Sequence, residues 1–231
     1  MANNNYIEQL CFFGLTRQEA TIYEALLTHG EMTGYEVAKE TGISRSNVYA
    51  ALSALVEKGA AYLIEGDAAK YTPVEVKRFT ANTIAELQEK AAYLEKHAPQ
   101  KAYFSDGYIT VLGSRNIRNK IREMIEKTEL RLYILAPGEI ISEFDEPLRQ
   151  LVAAKKKVVI LTDSYKLDGA KIYGTKPEKG QLRLITDSAY VLTGCLTGDE
   201  HDTCLYSGQK NLIEVMKEAL KNKIILLEDK K

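Results

Sequence analysis

Between residues 16 and 59 the apolar positions recur at helical spacing in three successive blocks, each opened by a hydroxyl residue and closed by glycine. Behind Thr16, the residues Ala20, Ile22, Tyr23, Leu26 and Leu27 share one helical face that ends at Gly30. Thr16 with Glu19, and Thr33 with Glu36, have the Thr-x-x-Glu spacing of a capping box. The second pair opens a short helix carrying Val37 and Ala38 that stops at Gly42. Ser44 is expected to cap a third helix, on which Val48, Ala51, Leu52, Leu55 and Val56 form one apolar stripe running to Gly59. The turn Thr41-Gly42-Ile43 between the second and third blocks predicts a helix-turn-helix, whose second helix can enter a major groove. The pattern then changes to two short strands, Ala61–Ile64 and Lys70–Pro73, around a turn at Gly66-Asp67. A hairpin directly after the third helix is the wing of a winged helix-turn-helix.

Residues 74–97 contain neither glycine nor proline. Ile84, Leu87, Ala91 and Leu94 recur at intervals of three and four with charges around them, a seam of about two heptads. This predicts a connector helix about 36 Å long at 1.5 Å per residue. Either it lies on its own domain or, the preferred reading, it pairs with its twin in a homodimer. A pair would hold two recognition helices about 34 Å apart, one turn of DNA. Beyond Pro99 the order is strand (108–112), helix (115–127), strand (130–136), helix (147–154), strand (157–162), then a polar stretch 163–180 read as a loop. Strands at 181–186, 189–196 and 203–207, a helix at 209–220 and a closing strand at 224–227 complete the chain. The βαβαβ order predicts an α/β domain with a mainly parallel sheet. The expected organisation is an α+β winged helix-turn-helix domain over 1–74, a connector and dimerisation helix over 75–98, and an α/β domain over 99–231.

Composition limits the function classes without choosing among them. The 231 residues carry a net charge of −1, three cysteines and no tryptophan. No apolar run approaches the roughly 20 residues that span a bilayer, and MANNNYIEQL has neither a basic nor an apolar leader region. Cys11, Cys195 and Cys204 are too scattered for a metal site, so a reduced, cytoplasmic protein is expected. Charge opposes the DNA-binding reading, because residues 1–75 hold five basic and ten acidic side chains. Phosphate contacts normally require a basic surface. The reading survives only if the few cations share one face.

The stretches FGLTRQEATIYEALL, TGYEVAKETGISRSNVYAALSALVEKG and KYTPV resemble the TrmB family of winged-helix transcription regulators. The part beyond the connector resembles the phospholipase-D-like domain that many members carry, through its element order, Gly113-Ser114 and LITDSAYVLTG. Catalytic members of that superfamily use His-x-Lys, then four residues, then Asp; the histidine attacks phosphorus and the lysine stabilises the phosphoryl oxygens. Aligned on Asp187, the first two positions here are Gly180 and Leu182. The resemblance therefore implies a domain without this activity, and no catalytic residue or cofactor is assigned.

For DNA contact the candidates are Arg45, Ser46, Asn47 and Tyr49 at the start of the third helix, where Arg and Asn can pair with guanine and adenine edges. Ser44, Thr33, Tyr35 and the hairpin's Lys70 are candidates for phosphate contact. An effector, a sugar or an anionic metabolite, is expected in the crevice at the carboxyl ends of the strands. Ser114, Arg115, Pro137, Asp163, Ser164 and Tyr165 would line it, with Asp187 added from the resemblance. Asp199, Glu200, His201, Asp202 and Cys204 crowd one short segment without structural-zinc spacing and read as a polar hairpin turn, so no metal is expected. The resulting expectation is a homodimeric, non-enzymatic regulator that binds a double-stranded DNA operator, touches no membrane, and uses its α/β domain to sense an effector or to dimerise. The alternatives are a phospholipase-D-like phosphodiesterase localised by a winged helix, and a winged helix that binds protein.

Overall fold

A helix that the apolar pattern does not announce comes first. It is α1 (Ala2–Phe12), and of its side chains Ile7 and Leu10 reach the core. In the computed structural model, which describes residues 2–66, 68–99 and 107–229, both Thr-x-x-Glu signals form reciprocal caps. Thr16 Oγ1 accepts from the Glu19 amide at 3.2 Å while the Glu19 carboxylate accepts from the Thr16 amide at 2.8 Å, starting α2 (Arg17–His29). A two-residue strand, β1 (Met32–Thr33), precedes α3 (Gly34–Thr41), which ends at Gly42 with φ +70°. Only glycine takes up that left-handed conformation without steric cost. Next come α4 (Arg45–Glu57), β2 (Ala61–Ile64) and β3 (Lys70–Pro73). The expected hairpin is present, although Asp67 of its turn lies outside the described residues. The unexpected β1 joins it, giving an antiparallel sheet in the order β1-β3-β2. A sequence of two residues is too short to show the alternation by which strands are read.

The long helix α5 (Val76–His97) starts by burying Phe79 in the same core as Tyr23, Val48, Leu52 and Leu55. From Ile84 onward the helix is exposed, so it does not lie on its own domain. The chain divides into two compact units, Met1–Lys101 and Ala102–Lys231.

The second unit contains β4 (Tyr108–Leu112), α6 (Ser114–Glu126), β5 (Arg131–Leu135), α7 (Gly138–Ser142), α8 (Asp145–Ala153) and β6 (Lys157–Thr162). It continues with β7 (Lys171–Gly174), β8 (Gln181–Thr186), β9 (Tyr190–Cys195), β10 (Thr203–Ser207) and α9 (Lys210–Glu228). Its seven-stranded sheet runs β4-β10-β9-β8-β5-β6-β7, which corrects the mainly parallel arrangement expected from sequence. Only the β5-β6 and β6-β7 pairs are parallel. The β8-β9-β10 meander pairs antiparallel within itself, and inserts between β4 and β5. Strand β4 still points the same way as β5, but it is not beside it. Two further expectations are corrected. The stretch 163–180 contains β7, a short edge strand hidden by its polar surroundings. Residues 224–227 belong to α9, because the apolar run Ile224-Ile225-Leu226-Leu227 continues a helix whose inward face already carries Ile213, Met216 and Leu220. One face of the sheet is covered by α6, α7 and α8, with Ile117, Ile121, Ile134, Phe144, Leu148 and Ile160 at its centre. On the other face α9 packs against Leu135, Val159, Leu161, Tyr173 and Ile185.

Candidate nucleic-acid interface

Val48, Ala51, Leu52 and Leu55 turn one side of α4 into the core. The helical period then sends Arg45, Ser46, Asn47 and Tyr49 outward together, and all four are exposed. Among the described residues Arg45 has no carboxylate partner; its guanidinium lies 4.7 Å from the centre of the Tyr35 ring on α3. That cation–π contact orients an arginine that remains exposed. Tyr49 lies against Gly34 at the start of α3. A Cβ on Gly34 would come within 2.5 Å of the Tyr49 ring. Tyr35, Arg45 and Tyr49 thus form a single surface spanning the two helices of the helix-turn-helix, and Gly34 allows their close approach.

Ser44 occupies the position before α4 but does not cap it, which corrects the expectation. Its hydroxyl lies 3.5 Å from that of Ser46, and the helix lacks a side-chain cap. The first amides of α4 are therefore not taken by Ser44. Thr33 is spent on the capping box of α3, where its hydroxyl bonds Glu36. Lys70 is paired with Glu31 at 2.9 Å, and that contact holds its ammonium above the ordinary lysine value.

Five of the ten acidic side chains over residues 1–75 are engaged in local contacts. Glu19 and Glu36 close capping boxes, Glu31 meets Lys70, Glu8 meets Arg17 and Glu40 meets His29. Lys58 bonds Glu19 and the Gly14 carbonyl. Lys39 is a candidate that the sequence reading missed. It is exposed, one turn beyond Tyr35 on the same face of α3. The signal was available in the i, i+4 spacing of Tyr35 and Lys39 preceding Arg45.

This unit matches the family model described as the sugar-specific transcriptional regulator TrmB over residues 10–77. The chain is 27% identical over 169 residues to the sugar-sensing transcriptional regulator TrmBL1 of Pyrococcus furiosus, covering 71% of this chain and 48% of that protein. It is 27% identical over 209 residues to the DNA-binding transcriptional repressor TrmBL2 of Thermococcus kodakarensis, covering 81% and 78%. Over residues 10–77 the chain is therefore similar to the TrmB family. A further relative, the uncharacterized protein YrhO of Bacillus subtilis, is 28% identical over 164 residues, 70% of this chain and 59% of that one. The match thus spans about half of the Pyrococcus protein and under two thirds of the Bacillus one.

In the second unit the residues expected to hold an effector do not converge. Ser114 and Arg115 follow β4 at one edge of the sheet, while Pro137, Asp163, Ser164 and Tyr165 follow β5 and β6 on the far side of the inserted meander. At about 4.8 Å per strand, four spacings separate the two groups by about 19 Å. The second group is closed on itself. Asp163 accepts from the Gly138 amide at 2.8 Å and from the Ser164 hydroxyl at 3.0 Å, and these bonds hold its carboxyl below the usual range. A Cβ on Gly138 would collide with Ser164 Oγ, so the two loops pack closely at this point. Tyr165 donates to Asp145 at 2.6 Å.

Asp187 lies at the opposite end of the strands, in the turn between β8 and β9. Its carboxylate accepts the backbone amides of Glu129, Leu130 and Arg131 at 2.7–2.8 Å. Burial alone would raise its pKa, but the three amides outweigh this and lower it. In the segment 199–204, Asp202 accepts from the Thr197 amide and hydroxyl and from the Gly198 amide, as a turn-forming carboxylate does. Among the described residues no helix is long and apolar enough to cross a membrane.

Proposed function

We propose that this chain is a cytoplasmic, DNA-binding transcription regulator whose residues 1–74 form a winged helix-turn-helix, with β2 and β3 as the wing. The observation that carries this reading is the outward row Arg45, Ser46, Asn47 and Tyr49 on the first turns of α4. The row is backed by Tyr35 in a helix-turn-helix of TrmB type. Arg45 and Asn47 are suited to base edges, while Ser44, Ser46, Tyr35 and Lys39 are suited to the sugar-phosphate backbone. Residues 75–98 act as the connector, and the exposed Ile84, Leu87, Ala91 and Leu94 pair with a second copy. The α/β unit, residues 99–231, then reports an effector by favouring one spacing of the two winged helices, which changes operator affinity.

The phospholipase-D-like α/β unit works in this reading without hydrolysing anything. Gly180 has a left-handed backbone, and Leu182 is fully buried in the core. Neither can supply the nucleophile or the cation of that chemistry, and Asp187 is committed to three amides. The test is selection of bound fragments from sheared genomic DNA, followed by gel shift of an enriched fragment over a series of salt concentrations. Enrichment of a common sequence, with affinity falling steeply as salt rises, is the expected result. Equal recovery of all fragments, or an affinity indifferent to salt, overturns it.

A further inference from the structure

One open concave surface of the α/β unit lies away from the carboxyl ends of strands β5 and β6. It lies on the sheet face that α9 covers alone, as a cleft of about 720 Å³ between that helix and strands β5, β6 and β7. Its floor is one row of the sheet. Tyr133 stands between Ile185 of β8 and Val159 of β6, with Val159 and Ile185 buried and Tyr133 half-exposed. The next row places Arg131 beside Lys157, whose ammonium lies 5.6 Å from the centre of the Tyr133 ring. From the facing wall α9 contributes Lys217 and Lys221, one turn apart. The far end is latched, since Glu228 accepts from the Tyr173 hydroxyl at 2.6 Å and from Lys171 at 3.0 Å.

Charge in this cleft is unbalanced. Lys171 is neutralised by Glu228, but Arg131, Lys157, Lys217 and Lys221 make no ion pair among the described residues. Glu214 and Glu218 also line the cleft, so the unpaired cations outnumber the remaining carboxylates there. The rim is preformed. Asp187 and Ser188 both adopt left-handed backbone (φ +53° and +57°), and the Asp187 carboxylate fixes the amide of Arg131. The residue that the resemblance assigned to a reaction therefore organises the edge of this cleft, and Ser188 lines it. A concave site with an apolar, aromatic floor and a few convergent polar groups is the usual form of a small-molecule site. An arginine with neighbouring lysines matches a phosphate more closely than a neutral sugar.

We propose that this cleft binds a small phosphorylated ligand, with the phosphate held between Arg131, Lys157 and Lys217 and a ring lying on Tyr133. The proposal deepens the sensing role given to the α/β unit and rests on it. A ligand bridging the strands to α9 would clamp that helix onto the sheet.

The test is isothermal titration calorimetry of the full chain with glucose 6-phosphate, AMP, inorganic phosphate and glucose, repeated on an R131A/K217A variant. A K176A variant, at an exposed lysine outside the cleft, is the charge control, and thermal melts check that both fold. At least one ester should bind more tightly than inorganic phosphate while glucose gives no heat. R131A/K217A should weaken that binding at least about tenfold and K176A should not. No binding by either ester overturns the proposal, as does glucose binding equally well or equal affinity in R131A/K217A. The DNA affinity of R131A/K217A without ligand should equal that of the unmodified chain, and a tenfold loss would make the cleft a nucleic-acid contact instead. If the regulator reading fails, the unmodified chain does not select DNA; if the cleft proposal fails, that selection is unaffected.

Discussion

The Tyr23 hydroxyl donates a 2.6 Å hydrogen bond to the carbonyl of Val74, tying the second helix to the residue from which the long helix departs. The Tyr23 ring also packs at 5.6 Å against Phe79, the buried residue of α5. Burial pushes the hydroxyl pKa up to about 12, so it remains a donor at every pH a cell meets. Tyr23→Phe keeps the packing and removes only the donor, leaving a buried carbonyl with one partner fewer. Urea denaturation should show a loss of about 1–2 kcal/mol, and amide exchange should quicken over residues 74–80. Unchanged stability and exchange would mean that packing alone anchors the connector.

Glu19 gives the helix-turn-helix unit an acid limit. Its burial acts to raise the pKa, but the bonds from Lys58 and Thr16 more than offset this, so the folded value is lowered. A carboxyl depressed on folding contributes stability above its unfolded pKa and loses it as pH falls through the folded value. The melting temperature of this unit should therefore drop as pH is lowered below the ordinary glutamate value of 4.5. Glu19→Gln should flatten that drop while lowering stability at neutral pH. A variant with the same acid dependence would assign the effect to other carboxylates.

Gly34→Ala tests the close approach of Tyr49. The glycine is not needed for its backbone angle but for space, since a methyl group would come within 2.6 Å of both Cε1 and Cζ of Tyr49. The tyrosine is exposed and can swing away, so the fold should survive with a small loss of stability. The surface shared by α3 and α4 would change shape, and DNA affinity should fall by about tenfold or more. Tyr49→Ala combined with Gly34→Ala should cost no more than Tyr49→Ala alone. Additive losses in that cycle would show that the two residues act separately.

Arg45→Ala should weaken binding to a selected site by about 1–3 kcal/mol and relax its sequence preference, without altering the melt. Lys39→Ala should instead weaken all duplexes alike and reduce the slope of affinity against salt. If Arg45→Ala binds every site as the unmodified chain does, the arginine stacked on Tyr35 is not part of the interface.

How much was legible from sequence followed the range of the interaction involved. The caps of α2 and α3 depend on residues three apart, and Thr16, Glu19, Thr33 and Glu36 announced them. The stripe of α4 was readable for the same reason. Strand order was not, because the pairing of β4 with β10 joins Leu112 to Thr203, far apart in the chain. Local periodicity carries no information on which strand lies beside which. The expected effector site depends on the same order, since Ser114 and Asp163 come together only if β4 and β5 are neighbours. Asp187, expected in the same crevice, lies at the other end of the strands, because its position depends on three amides of a distant loop. At the proposed DNA-facing surface the residues without a sequence signal of their own are Gly34 and Lys39, whose place comes from what α4 sets against α3.

The connector supplies the last prediction. Ile84, Leu87 and Leu94 are 47%, 59% and 66% exposed, at the spacing of a coiled-coil seam with Ala91 between the leucines. Fully burying a large apolar side chain gains roughly 1.5–3 kcal/mol, so pairing two copies along this seam offers a substantial driving force. Two heptads make a short coiled coil, which should place the dimer within reach of disruption by a pair of substitutions. Leu87→Glu with Leu94→Glu puts like charges opposite each other along the seam while leaving the Phe79 anchor intact. Sedimentation should show a dimer for the unmodified chain and a monomer for the variant, with the melt of each unit retained. Affinity for a two-half-site fragment should fall far more than affinity for a single half-site, because only the paired form engages both. A monomeric unmodified chain, or a variant that sediments as the same dimer, would move the contact away from α5.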